Sequence, residues 1–86
     1  MPEISRFFGV VIKMFYNDHQ PPHFHAEYAG SEALIVIDTL EVYRGELPRH
    51  ALALVLEWAA LHRDALREDL RLARGGEPPR SISPLE

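Results

Sequence analysis

Cysteine is absent from the 86-residue sequence. That absence removes disulfide frameworks, thiolate zinc sites, iron–sulfur clusters and cysteine nucleophiles together. Any metal held by this chain must use His, Asp or Glu. No uninterrupted apolar run approaches the roughly 18–20 residues of a membrane span. No basic cluster followed by an apolar stretch opens the chain. The expected compartment is therefore the cytoplasm, with no membrane partner. Basic residues are a minority, nine against thirteen acids, for a formal net charge of −4. An acidic balance makes a poor general binder of phosphate backbones, so nucleic acid is not a favoured partner. There is also no glycine-rich phosphate loop, no G-x-S-x-G elbow and no paired-carboxylate pattern.

What is present reads as one small domain over residues 1–76 with a flexible Pro-rich tail over 77–86. Hydrophobic residues make up 47% and charged residues 26%, the balance of a globular chain. A domain of this size buries only about 60–65% of the surface its unfolded chain exposes, so a partner subunit would help. The acidity is local. Residues 1–47 hold three basic and seven acidic side chains, whereas residues 48–86 hold six of each.

The first half is strand-like. Phe7 to Tyr16 is rich in β-branched and aromatic residues, with Lys13 its only charge, and reads as one doubly covered strand. Pro21 and Pro22 forbid helix in the polar connection that follows. From His23 to Tyr28 the chain alternates, Phe24, Ala26 and Tyr28 on one face and His23, His25 and Glu27 on the other. Ala29-Gly30-Ser31 signals a hairpin. Ala33 to Ile37 is a buried strand, and Leu40 to Tyr43 a short edge strand.

The second half reads as one helix. Pro48 suits a helix start, no Pro or Gly interrupts Arg49 to Arg74, and Gly75-Gly76 ends it. Leu52, Val55, Ala59, His62, Leu66, Leu70 and Ala73 form the stripe expected to face the sheet. Leu54, Trp58 and Leu61 lie off that stripe. A helix of about 26 residues spans roughly 39 Å, longer than strands of about seven residues at roughly 24 Å. The apolar overhang around Leu54, Trp58 and Leu61 is the candidate interface, for a partner protein or a second copy in a homodimer. The expected fold is thus α+β, a three- or four-stranded antiparallel sheet with one long C-terminal helix packed on one face.

Chemistry concentrates in Asp18-His19-Gln20-Pro21-Pro22-His23-Phe24-His25-Ala26-Glu27. His23 and His25 share a strand face with Cα atoms roughly 6.5–7 Å apart, close enough for two imidazoles to approach one ion. His19, His23, His25 and Glu27 are the candidate ligands of a divalent transition metal, zinc or manganese. A metal-free alternative makes His23, His25 and Asp18 an acid–base group for phosphodiester cleavage, with Lys13 or Arg44 on the phosphate. The third reading is a set of histidines that only bond within the sheet or contact a partner. Arg63, Arg67, Arg71 and Arg74 form one row along the helix, laced with acids and read as a solvated face.

Three stretches together resemble a known family: Met1 to Gly9, Asn17 to Tyr28 with its D-H-x-P-P-H-F-H-A core, and Gly45-Glu46-Leu47-Pro48 leading to Leu56-Glu57-Trp58-Ala59. They are similar to the small bacterial domain of unknown function 4160, over nearly the whole chain. The resemblance implies a stand-alone protein often encoded beside domain of unknown function 2442, in a pair similar to a toxin–antitoxin module. This chain would be the toxin, and its partner a small cognate antitoxin-like protein. The family supplies no agreed catalytic residues. The functional expectation is a toxin-like component acting through its His-rich strand, and the alternative is a non-catalytic protein-binding or metal-binding adaptor that homodimerises.

Overall fold

The computed structural model describes residues 3–15 and 21–86. Along the chain run β1 (Glu3–Phe7), β2 (Val10–Lys13), β3 (His23–Tyr28), β4 (Ser31–Val36), β5 (Val42–Gly45), α1 (Arg49–Leu61) and α2 (Arg63–Arg74). The strands form one antiparallel meander in chain order. The α+β class stands, but the sheet has five strands and the helical half is two helices.

The extra strand comes from a turn that composition hides. Phe8 and Gly9 have φ of 49° and 82°, the both-positive pattern of a two-residue type I′ hairpin. They fold the expected Phe7–Tyr16 strand back on itself. Asn-Gly would have announced such a turn; Phe at its first position does not. Ala29 and Gly30 repeat the pattern between β3 and β4, with φ of 49° and 87°. In β1 the register slips between Glu3 and Ser5. This bulge leaves Glu3 and Arg6 bonded to each other, Arg6 Nε donating to a Glu3 carboxylate oxygen at 3.0 Å.

Alternation gives the sheet one apolar face. Phe7, Val10, Ile12, Phe24, Ala26, Ala33 and Ile35 are buried and join Ala51, Val55, Trp58, Ala59 and Leu66 of the helices in a single core. Neighbouring positions on β2, β3 and β4 (Lys13, His25, Glu27, Glu32, Leu34) point to the opposite face.

The helix breaks at His62, whose φ and ψ are −123° and 26°. No Pro or Gly marks the place. Tertiary ties at the start of α2 accompany it: Arg63 Nε donates to the Ile37 carbonyl at 3.3 Å and Arg67 Nε to Asp38 at 3.1 Å. These bonds hold the first turns of α2 to the chain just after β4, so the helical half bends over the sheet instead of overhanging it. A 13-residue helix such as α1 spans roughly 20 Å, which the domain's 33 × 25 × 22 Å extents accommodate.

The expected interface is corrected by the same packing. Trp58 is fully buried, its ring 5.5 Å from Phe7 and 5.9 Å from Phe24. Leu54 is half-buried against the core, and of the three only Leu61 is strongly exposed, at 68%. The first helix is apolar nearly all round because it is covered on two sides. The second cover is the segment expected to be a loose tail. Ile82 is buried, its N–H donates to the Ile4 carbonyl at 2.7 Å, and Trp58 Nε1–H donates to the Ser83 carbonyl at 2.8 Å.

Candidate functional site

The sheet face turned away from the helices carries the histidine strand. Register sets its neighbours: Lys13 lies opposite His25, His25 opposite Leu34, and Leu34 opposite Arg44. One step along, Val11 lies opposite Glu27 and Glu27 opposite Glu32. Two carboxylates directly opposed across a ladder repel each other. Here each has a cationic or donor neighbour on the next row. Lys13 Nζ lies 3.1 Å from Glu27 Oε2, and His25 Nδ1–H donates to Glu32 Oε2 at 3.1 Å. The Glu27 and Glu32 carboxylates border an open hollow of about 390 Å³ reaching to the Phe8–Gly9 and Ala29–Gly30 turns.

Aromatic rings bind this network laterally. The Phe15 ring meets that of His25 edge-on at 4.3 Å, His25 lies 5.2 Å from His23, and His23 lies 5.8 Å from Tyr43. The Arg44 guanidinium then sits 5.6 Å over the Tyr43 ring, within cation–π range. Tyr43 reaches His23 because β5 slips register between its pairings with Leu34 and Ile35. A bulge of this kind re-aims side chains.

The two histidines of β3 are not equivalent. His23 is buried, 5% exposed, and its Nδ1–H donates to the Pro21 carbonyl at 2.6 Å. That bond places the proton on Nδ1 and ties the Pro-Pro corner to the strand. His25 is more open, at 12% side-chain exposure, and is oriented by a carboxylate. Asp18 and His19, the loop members of both expected sites, lie outside the described residues. Of the expected metal set, Glu27 is turned to Lys13 and His25 Nδ1 to Glu32. Among the described residues no three His, Asp or Glu side chains form a group able to hold an ion.

The remaining histidines of the described residues and the arginine row have structural partners. His50 Nε2 and the Tyr28 hydroxyl are 3.1 Å apart, and the His62 ring lies 5.5 Å from Trp58. Within the arginine row, Arg63 bonds a backbone carbonyl, Arg67 bonds Asp38 and Asp64, and Arg71 bonds Glu68. Sequence reasoning missed Phe15, Glu32 and Tyr43. Glu32 was legible only after the β3–β4 register, which sets it beside His25. Tyr43 depends on a bulge that no residue type announced.

The family model of the domain of unknown function DUF4160 covers residues 9–71. No curated protein and no solved structure matches the chain.

Proposed function

We propose that this chain, which belongs to the DUF4160 family, is the binding component of a two-protein module and meets a small partner protein through the outer face of its sheet. The observation that carries the reading is the Tyr43-Arg44 corner of that face. Tyr43 is 45% exposed, and Arg44 is stacked on it. Tyr and Arg are the side chains most enriched where binding energy concentrates. A guanidinium already held over its ring loses less rotamer freedom on binding. An acidic group on the partner would meet Arg44 beside the Tyr43 ring. The resemblance to toxin–antitoxin pairs supplies the partner class, a small cognate antitoxin-like protein encoded alongside, and a second copy is the competing occupant.

The test is titration of the neighbouring domain-of-unknown-function-2442 product into the wild-type chain and a Tyr43→Ala/Arg44→Ala variant. The expected result is a complex whose dissociation constant rises at least about tenfold in the variant. Equal binding by both would remove this surface from the proposal.

A second reading, that the chain is itself a toxin with acid–base chemistry, draws on the His25–Glu32 contact, since a carboxylate-oriented imidazole is a familiar general base. Expression without the partner would then slow growth in the wild type but not in His25→Gln, at equal folded yield. Equal growth of the two would set the reading aside.

A further inference from the structure

Residues 79–86 make three directional bonds to the described body of the domain, each to a different element. The Arg80 N–H donates to Asp69 Oδ1 of α2 at 2.9 Å, the Ile82 N–H donates to the Ile4 carbonyl of β1 at 2.7 Å, and the Ser83 carbonyl accepts Trp58 Nε1–H of α1 at 2.8 Å. On the segment's side every one of these groups is backbone. Its side chains add an apolar anchor and a charge: Ile82 is buried within the core, Leu85 packs half-buried against it, and Arg80 lies within electrostatic reach of Asp69 and Glu68. Backbone bonds that any sequence can make, one of them to a strand edge, plus a pocket for one apolar side chain, are features that peptide-binding grooves use. Among the described residues β1 is an edge strand, paired with β2 alone, and edges of this kind invite an added segment.

Before the segment, Gly75, Gly76 and Glu77 cap α2, their N–H groups donating to the Arg71, Leu72 and Ala73 carbonyls, and the chain leaves the helix there. Gly75 and Gly76 are exposed, Gly76 with φ of 79°, and Pro78, Pro79 and Pro84 keep the following chain out of helix. The bonds made by the segment do not depend on which molecule it comes from. We propose that β1, Trp58 and Asp69 form a peptide-binding groove, filled in cis by residues 79–86 and able to take the same segment from a second copy. A short tether gives the cis segment an effective concentration in the millimolar range, so the closed form excludes a competing peptide until the segment is released. Exchange of an identical element between copies is a low-cost route to dimers.

The experiment uses the full chain carrying Ile82→Asp, whose charge cannot enter the apolar site, and a fluorescent peptide of residues 79–86. Trp58 is the only tryptophan, so its emission reports whether the groove is covered. The variant is expected to keep wild-type far-UV circular dichroism and show red-shifted emission. The peptide should bind it at least about tenfold more tightly than it binds the wild type and return the emission toward the blue, while a peptide with Asp at the isoleucine position should not. A folded Ile82→Asp chain that ignores the peptide overturns the proposal, as does equal binding by the wild type. Ile82→Ser provides the milder variant. If both variants unfold, the segment is a permanent part of the core and the proposal is equally overturned.

Discussion

Replacing Trp58 by phenylalanine separates what the ring fills from what its N–H bonds. In the wild type the indole is fully buried, contacts Phe7 and Phe24, and donates to the Ser83 carbonyl. Phenylalanine retains much of the apolar contact but removes the donor, leaving that carbonyl to find another partner. Loss of such a bond costs about 1 kcal/mol, and the unfilled part of the indole site adds about 1 kcal/mol more. A total of about 2 kcal/mol is a sizeable share of a small domain's stability of about 5–15 kcal/mol. For a chain of this size it lowers the thermal midpoint by about 8–16 °C. Differential scanning calorimetry at fixed pH measures the shift directly. The same calculation puts Trp58→Ala at about 3–5 kcal/mol, near the limit of folding. A Trp58→Phe midpoint within about 2 °C of wild type would refute the reasoning, because Trp58 would then be neither packed nor bonded as described.

Other substitutions probe the turns, the edge strand and the buried Asp69. Gly45 has φ of 76°, and a Cβ there would run into the Glu32 carbonyl oxygen, so Gly45→Ala should cost about 2 kcal/mol or more by urea melting; a neutral result would remove the close β4–β5 approach. Phe8 bears positive φ while 60% exposed, so Phe8→Asn should raise stability by about 1 kcal/mol in the same assay, and a loss would mean that the phenyl ring makes contacts worth keeping. Asp69 is held above its usual pKa chiefly by burial, with Glu68 raising it further and the Arg80 backbone and side chain opposing. Its folded form therefore binds a proton more readily than its unfolded form, and the cost of burying its charge is present at neutral pH. That cost disappears as pH falls through the raised value towards 3.8. Asp69→Asn should accordingly be at least as stable as wild type at pH 7 and lose that advantage on acidification, the opposite trend excluding burial as the cause. Glu3 and Glu68, held low by their bonds to Arg6 and Arg71, act with the other sign: their contribution is present above the unfolded carboxylate value and is lost as pH falls through the folded one.

Much of this molecule was legible because local rules and tertiary demands agree. The alternation of His23 to Tyr28 predicted a strand with its histidines on one face, and β3 occupies those residues. The Pro48 start and the Gly75-Gly76 end bounded the helical half to within a residue. Other features were hidden because the deciding energy is not local. The Phe8–Gly9 turn tolerates a strained residue where Asn would have advertised it. The break at His62 goes with bonds from Arg63 and Arg67 to residues 26 and 29 positions away. Trp58 looked like an exposed anchor because the segment that covers it carries three prolines and no pattern.

The amino-acid sequence by itself determined the class of the fold, the acidic character of its first half, and the sharing of one strand face by His23, His25 and Glu27. Those follow from side-chain period and composition, which need no partner to act. Only the tertiary structure decided which neighbours those side chains meet: Glu32 at His25, Lys13 at Glu27, Tyr43 at His23, and the C-terminal backbone at Trp58, Ile4 and Asp69. Register, bulges and the docking of a segment far along the chain set those contacts, because pairings between distant positions are chosen by the summed burial and bonding of the whole core.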